Sequence, residues 1–210
     1  EYFVQSAQPA PGTFEQDTPT GRRWIAHGKD PNFPPWIDTA QLDYRKLETQ
    51  RAVAEAFQAV ARRCDGLRCD MAMLLLNDIF ARTWGARAGE KPGTDYWRTV
   101  IPATKEKHPD FKFMAEAYWD LEWELQQQGF DYCYDKRLYD RMEHDPAESV
   151  RLHLLADPSY QKGMGRFIEN HDEPRAAAAF PDGKGRAAAV AILTLTGARL
   201  LHEGQFEGRK

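Results

Sequence analysis

The chain has 210 residues, enough for one domain with a substantial core or for part of a larger one. Hydrophobic residues make up 42% and charged residues 29%, which excludes wholesale disorder, and a net charge of -4 leaves no basic excess to attract a phosphate backbone. The expected partner is therefore neutral or small rather than nucleic acid. No apolar run approaches the ~20 residues of a membrane span. Three cysteines, Cys64, Cys69 and Cys133, lack metal-type spacing and leave an odd thiol, which fits a reducing compartment and favours the cytoplasm.

Residues 1–43 are rich in Pro, Gly, Asp and Thr and include Pro9-Ala10-Pro11-Gly12 and Pro31-Asn32-Phe33-Pro34-Pro35. They read as one long irregular segment, of a length that in a compact protein usually covers a site. Trp24, Ile25, Phe33 and Trp36 indicate that the segment packs. From Tyr44 to Cys64 apolar residues recur at helical spacing, and Asp65-Gly66 then breaks the pattern before a short apolar strand, Gly66 to Asp70. The same order repeats: a helix over Tyr96–Lys107 and a strand over Phe111–Glu116; a helix over Leu121–Gln128 and a strand ending at Tyr134. Two helical pieces over 135–156, divided near Asp145-Pro146, precede a strand over Arg166–Asn170, and an Ala-rich helix over Arg186–Thr196 precedes a strand over Ala198–His202.

Five strands, each preceded by a helix, predict an α/β fold with a parallel sheet. No Gly-x-Gly-x-x-Gly follows the first strand, which disfavours a dinucleotide-binding sheet and favours a (β/α)8 barrel. Five strands cannot close such a barrel, so a partial one, lacking about three β/α units at its N-terminal side, is expected.

Carboxylates stand at three of these strand ends: Asp70, Glu116 and Asp172. Acids at strand exits of an alternating β/α chain gather at one rim, and sugar hydrolysis is the reaction that most plainly needs several carboxylates there. Arg68 and Asp70, two apart in a strand, share a face, so the guanidinium is expected to keep Asp70 ionised, as a nucleophile requires. Glu116, followed by Ala117-Tyr118-Trp119, is expected to have apolar and aromatic neighbours that keep it protonated, as a general acid requires. Asp172 has two readings, a helix N-cap before Glu173-Pro174 or a partner of His171 in holding vicinal sugar hydroxyls.

Taken together, Gly66-Leu67-Arg68-Cys69-Asp70, Ala115-Glu116-Ala117 and Phe167-Ile168-Glu169-Asn170-His171-Asp172 resemble three conserved regions of the α-amylase family, glycoside hydrolase family 13. Gln41-Leu42-Asp43 and Gly197 to Gly208 resemble the segments before its fourth strand and around its eighth. The resemblance implies a catalytic barrel running from the end of the third β/α unit to the eighth strand, with residues 1–43 as an excursion before the fourth strand and 44–210 as the C-terminal part of the barrel. It implies Asp70 as nucleophile, Glu116 as general acid/base and Asp172 as the stabilising carboxylate. Arg68 would orient Asp70, and His171, with Asn170 and Tyr118, would bind the sugar.

The activity implied is retaining hydrolysis of α-glucosidic bonds in α-glucans or malto-oligosaccharides, with no required cofactor. Transglycosylation, a trehalose- or sucrose-active relative and a non-catalytic carbohydrate-binding homologue are the alternatives. The family's third-strand region is absent, so the isolated piece is expected to be inactive. The Lys-His pair often found shortly after the nucleophile is replaced by Met73-Leu74, which puts both a substrate contact and a bound calcium in doubt.

Overall fold

A computed structural model describes residues 2–181 and 183–210. In chain order it contains β1 (Gln5–Ser6), β2 (Thr13–Thr18), β3 (Gly21–Ala26), α1 (Leu47–Ala61), β4 (Gly66–Cys69), α2 (Asn77–Trp84), α3 (Tyr96–Lys105), β5 (Lys112–Ala115) and α4 (Glu122–Gln127). There follow β6 (Tyr132–Tyr134), α5 (Lys136–His144), α6 (Ala147–His153), α7 (Pro158–Lys162), β7 (Met164–Arg166), α8 (Ala176–Ala179), α9 (Lys184–Thr194) and β8 (Ala198–Arg199). Among the described residues no helix is long and apolar enough to cross a membrane.

Two compact units divide the chain, one of residues 1–65 with 73–111 and the other of residues 66–72 with 112–210. In the first, β1, β3 and β2 form an antiparallel sheet in that order, so the segment read as irregular over 1–43 contains a hairpin. Its two-residue turn lies between Thr18 and Gly21, which pair directly. The strand pattern was hidden because Thr13–Thr18 alternates only weakly and carries two acids and a Gln on its exposed positions. Val4, Ala26, Phe80, Trp84 and Ala88 make this unit's core cluster, with Tyr44 against it, while Arg45 holds the carbonyls of Asn77, Ala88 and Gly89 at 2.9–3.1 Å.

In the second unit β4, β5, β6, β7 and β8 form a parallel sheet in strictly sequential order. A doubly wound sheet must reverse its strand order somewhere, whereas a barrel adds each strand beside the last. The order therefore supports the barrel expectation. The core of this unit centres on Tyr134, Leu138, Tyr139, Phe167, Ile168, Phe180 and Ile192.

β7 ends at Arg166, where the predicted strand begins, four residues short of its predicted end at Asn170. Gly163 and Gly165 disguise its first half, and the last ladder bonds run from Asp135 N–H to Gly165 O (3.0 Å) and from Leu200 N–H to Arg166 O (2.9 Å). Arg166 is fully buried: Nη1 pairs with Asp135, Nη2 donates to Gln161 O (3.2 Å) and Nε to Thr196 O (3.3 Å). Asp135 in turn caps α5 through Leu138 N–H (3.2 Å) and lies 3.0 Å from His153 Nε2. This buried network joins β6 to β7 and satisfies charges whose desolvation would otherwise be costly.

Candidate active site

The rim of the second unit's sheet brings together most of the predicted residues, and backbone pairing explains how. Beyond the end of β4 and β5 the two chains remain zipped, Glu116 N–H donating to Cys69 O (2.9 Å) and Ala72 N–H to Glu116 O (3.0 Å). That pairing sets the Asp70 turn beside Glu116. Met71, inside the turn, adopts φ of 43°, a left-handed conformation that side chains other than glycine rarely take, and its N–H donates to Glu116 Oε2 (2.7 Å).

Arg68 is the centre of the arrangement. Nη1 contacts Asp70 Oδ1 at 2.5 Å, Nη2 contacts Glu116 Oε1 at 2.9 Å, and Nη2 lies 3.8 Å from Asp172 Oδ2. Nε donates to Tyr134 Oη (3.2 Å). Burial works against the guanidinium charge, but the hydrogen bonds to Tyr134 and Asp70 and the charge of Glu116 outweigh it and hold the group above its ordinary value. One permanent cation thus offsets the mutual repulsion of the acids.

The acids differ in exposure. Asp70 has 75% of its side chain open to solvent and Asp172 has 49%, whereas Glu116 has 4%. Glu116 is surrounded by donors rather than by the apolar wall expected from Ala117-Tyr118-Trp119: besides Arg68 and Met71 N–H, Tyr118 Oη donates to Oε1 (3.0 Å). The reason is the strand exit, where the turn after Asp70 points an amide inward. Burial, then the charge of and hydrogen bond to Glu116, push the Tyr118 phenol up, so it stays a donor.

His171 Nε2 lies 3.1 Å from Asp172 Oδ2, and both side chains are exposed. The N-cap reading of Asp172 fails, because the next helix begins at Ala176. Asn170 is a correction of another kind. It is 2% exposed, and its Oδ1 accepts the N–H groups of Asp172 and Glu173, both at 2.9 Å. It supports the loop from behind instead of lining the site, because the turn carrying Asp172 needs an internal acceptor.

Sequence reasoning missed several supporting residues. Tyr134, last in β6, was identifiable by the same strand-end logic that singled out the acids. Glu169, also fully buried, accepts from Arg175 Nη1 (2.8 Å) and Ala176 N–H (2.6 Å), and Arg175 Nη1 also donates to Glu203 O (2.6 Å) and stands 3.0 Å from His202 Nδ1. These bonds close the loop that holds His171 and Asp172. No spacing signal marks them.

Among the described residues no group of three or more His, Cys, Asp or Glu side chains is arranged to hold a metal ion. Where a calcium-binding relative would offer Lys-His, the buried Met73 brings a thioether and Leu74 an alkyl group, neither of which suits a hard cation.

No family model matches the chain. It is 25% identical over 196 residues to α-amylase MalA of Haloarcula japonica, an alignment covering 89% of this chain and 27% of that protein. Its fold matches that of an α-amylase from Lactobacillus plantarum, with a TM-score of 0.62 and 21% identity over 91% of this chain and 45% of that one. It also matches Amy13B of Eubacterium rectale, with a TM-score of 0.70 and 15% identity over 100% and 42%. The chain thus spans between about a quarter and just under half of each of these proteins, and its five parallel strands are part of a (β/α)8 barrel.

Proposed function

We propose that this chain, a partial catalytic barrel of the α-amylase family, carries the reacting residues of a retaining glycosidase that cleaves α-glucosidic bonds in α-glucans or malto-oligosaccharides. The observation that carries the reading is that one guanidinium, Arg68, touches Asp70 and Glu116 and approaches Asp172. A structural ion pair needs one acid, and three acids around one arginine are costly to assemble unless they act together.

The exposed carboxylate, Asp70, attacks the anomeric carbon while Glu116 gives a proton to the departing glycosidic oxygen, and a covalent glycosyl ester forms on Asp70. Glu116, now ionised, takes a proton from water, which attacks the same carbon and releases Asp70. Arg68 keeps Asp70 anionic and oriented. The Asp172–His171 pair holds sugar hydroxyls, and Asp172 offsets the positive charge that develops on the ring. Glu116 is positioned by Tyr118 and by the amide of Met71. If an acceptor sugar replaces water in the second step, the same residues perform transglycosylation.

The test is to express the full-length gene product, incubate it with a fluorinated α-glucosyl donor and map any added mass. A glycosyl adduct on the Asp70 peptide is expected. Sugar binding without an adduct would overturn the catalytic reading and leave a carbohydrate-binding protein.

A further inference from the structure

The guanidinium of Arg68 divides its nitrogens among neighbours from different strands. Nη1 meets Asp70 at 2.5 Å, just past β4, and Nη2 meets Glu116 at 2.9 Å, just past β5. The single hydrogen on Nε goes instead to Tyr134 Oη (3.2 Å), at the end of β6. All the N–H groups of a guanidinium lie in one plane, so the direction of the Nε bond sets which way the fork of the other two nitrogens opens. A hydroxyl from β6 thus governs how one cation meets two carboxylates on other strands.

Tyr134 is held firmly enough for that task. It is 2% exposed, and its backbone pairs with Gly165 of β7. Its ring packs against Phe167 at a centroid distance of 5.3 Å, and Phe167 stacks in turn on Tyr139 at 5.6 Å. The following residue, Asp135, pairs with the buried Arg166 and caps α5. Turning the Tyr134 side chain would open this close-packed core, so the hydroxyl stays where the fold puts it.

The phenol also has the charge state that the arrangement needs. Burial first, and the charges of Glu116 and Asp172 after it, hold its proton more tightly than usual, against the opposing pull of Arg68. A neutral hydroxyl accepts the Nε hydrogen without cancelling the guanidinium charge, which remains available to the acids. A tyrosinate in that place would compete with Asp70 for it. Arg68 Cζ lies 5.6 Å from the Tyr134 ring centroid, a cation–π contact that phenylalanine would keep. The hydroxyl is therefore separable from the ring. We propose that the Tyr134 hydroxyl is a positioning group: acting through Nε of Arg68, it aims one guanidinium nitrogen at Asp70 and the other at Glu116, and so fixes nucleophile and acid/base relative to each other. This rests on the glycosidase reading above and adds to it a residue from the strand that supplies none of the three acids.

The test is a double-mutant cycle in the full-length protein, with maltoheptaose as substrate. Tyr134→Phe is expected to lower kcat roughly ten- to hundredfold, the range of one hydrogen bond to a charged group, while KM changes by less than about threefold and the melting temperature stays close to wild type. In the Arg68→Lys background, where there is no Nε to hold, the same substitution is expected to lower kcat by less than about twofold. An equal loss in both backgrounds assigns Tyr134 to packing and overturns the proposal. So does a kcat that Tyr134→Phe leaves unchanged. If either result is found while the wild type forms the Asp70 adduct, the positioning role falls and the glycosidase reading stands. If the wild type shows neither adduct nor turnover, both fall.

Discussion

At the scale of single residues, Arg68 has the largest consequence, because its fork geometry serves two acids at once and a third at longer range. Lysine keeps the charge but offers one point instead of a planar fork. Arg68→Lys in the full-length protein is expected to lower kcat at least tenfold while circular dichroism and melting temperature stay close to wild type; unchanged kcat would remove Arg68 from the machinery. The cysteines supply a second prediction. Burial pushes the Cys69 thiol up to about 12 and raises Cys133 as well, while Cys64 is exposed. The thiolate is the reactive form, so alkylation of the native protein should label the Cys64 peptide and spare those of Cys69 and Cys133 until denaturant is added. Of the residues grouped at the candidate site, Arg68, Asp70, Glu116, His171 and Asp172 were legible because strand-end position and residue type both mark them. Glu169 and the amide of Met71 were not, since their contribution depends on which neighbour they meet.

At the scale of elements, β8 depends on a glycine. Gly197 has φ of 103°, and a Cβ there would lie 2.2 Å from Met164 O, closer than any real contact allows. Gly197→Ala must therefore displace β8 from β7, at a cost above ~1 kcal/mol from backbone strain alone. A lowered urea midpoint of the full-length protein is expected, and a midpoint equal to wild type would show that the strand can move freely. The helices were readable because their apolar spacing runs for several turns, and α1, α3, α5, α6 and α9 lie within a few residues of expectation. β7 was placed too late, because three-residue strands carry no periodicity of their own and the apolar run Phe167-Ile168 continues past the ladder into the core.

At the scale of the whole molecule, buried charge sets a pH dependence. His153 is buried and its imidazole is pulled down to about 4, by desolvation first and by Arg141 second; the charge of Asp135, 3.0 Å away, is already taken by Arg166. An unfolded histidine titrates near 6.5. Between these values the unfolded chain binds the extra proton, so stability falls as pH drops from about 6.5 toward 4 and is retained above 6.5. Chemical denaturation of the full-length protein across that window should show this slope, and His153→Gln should flatten it. A slope identical in wild type and variant would assign it to other groups.

The primary structure by itself determined the alternation of helix and strand, and with it a parallel sheet with acids at its exits, because hydrophobic period and chain order are local properties. It also marked three acids as candidates, since their residue types and order resemble those of a known family. Only the tertiary structure decided that Arg68 gathers those acids and that Asn170 is buried with its Oδ1 held by the amides of Asp172 and Glu173. Those outcomes depend on through-space distances between strands dozens of residues apart, and no spacing along the chain encodes a distance across the sheet.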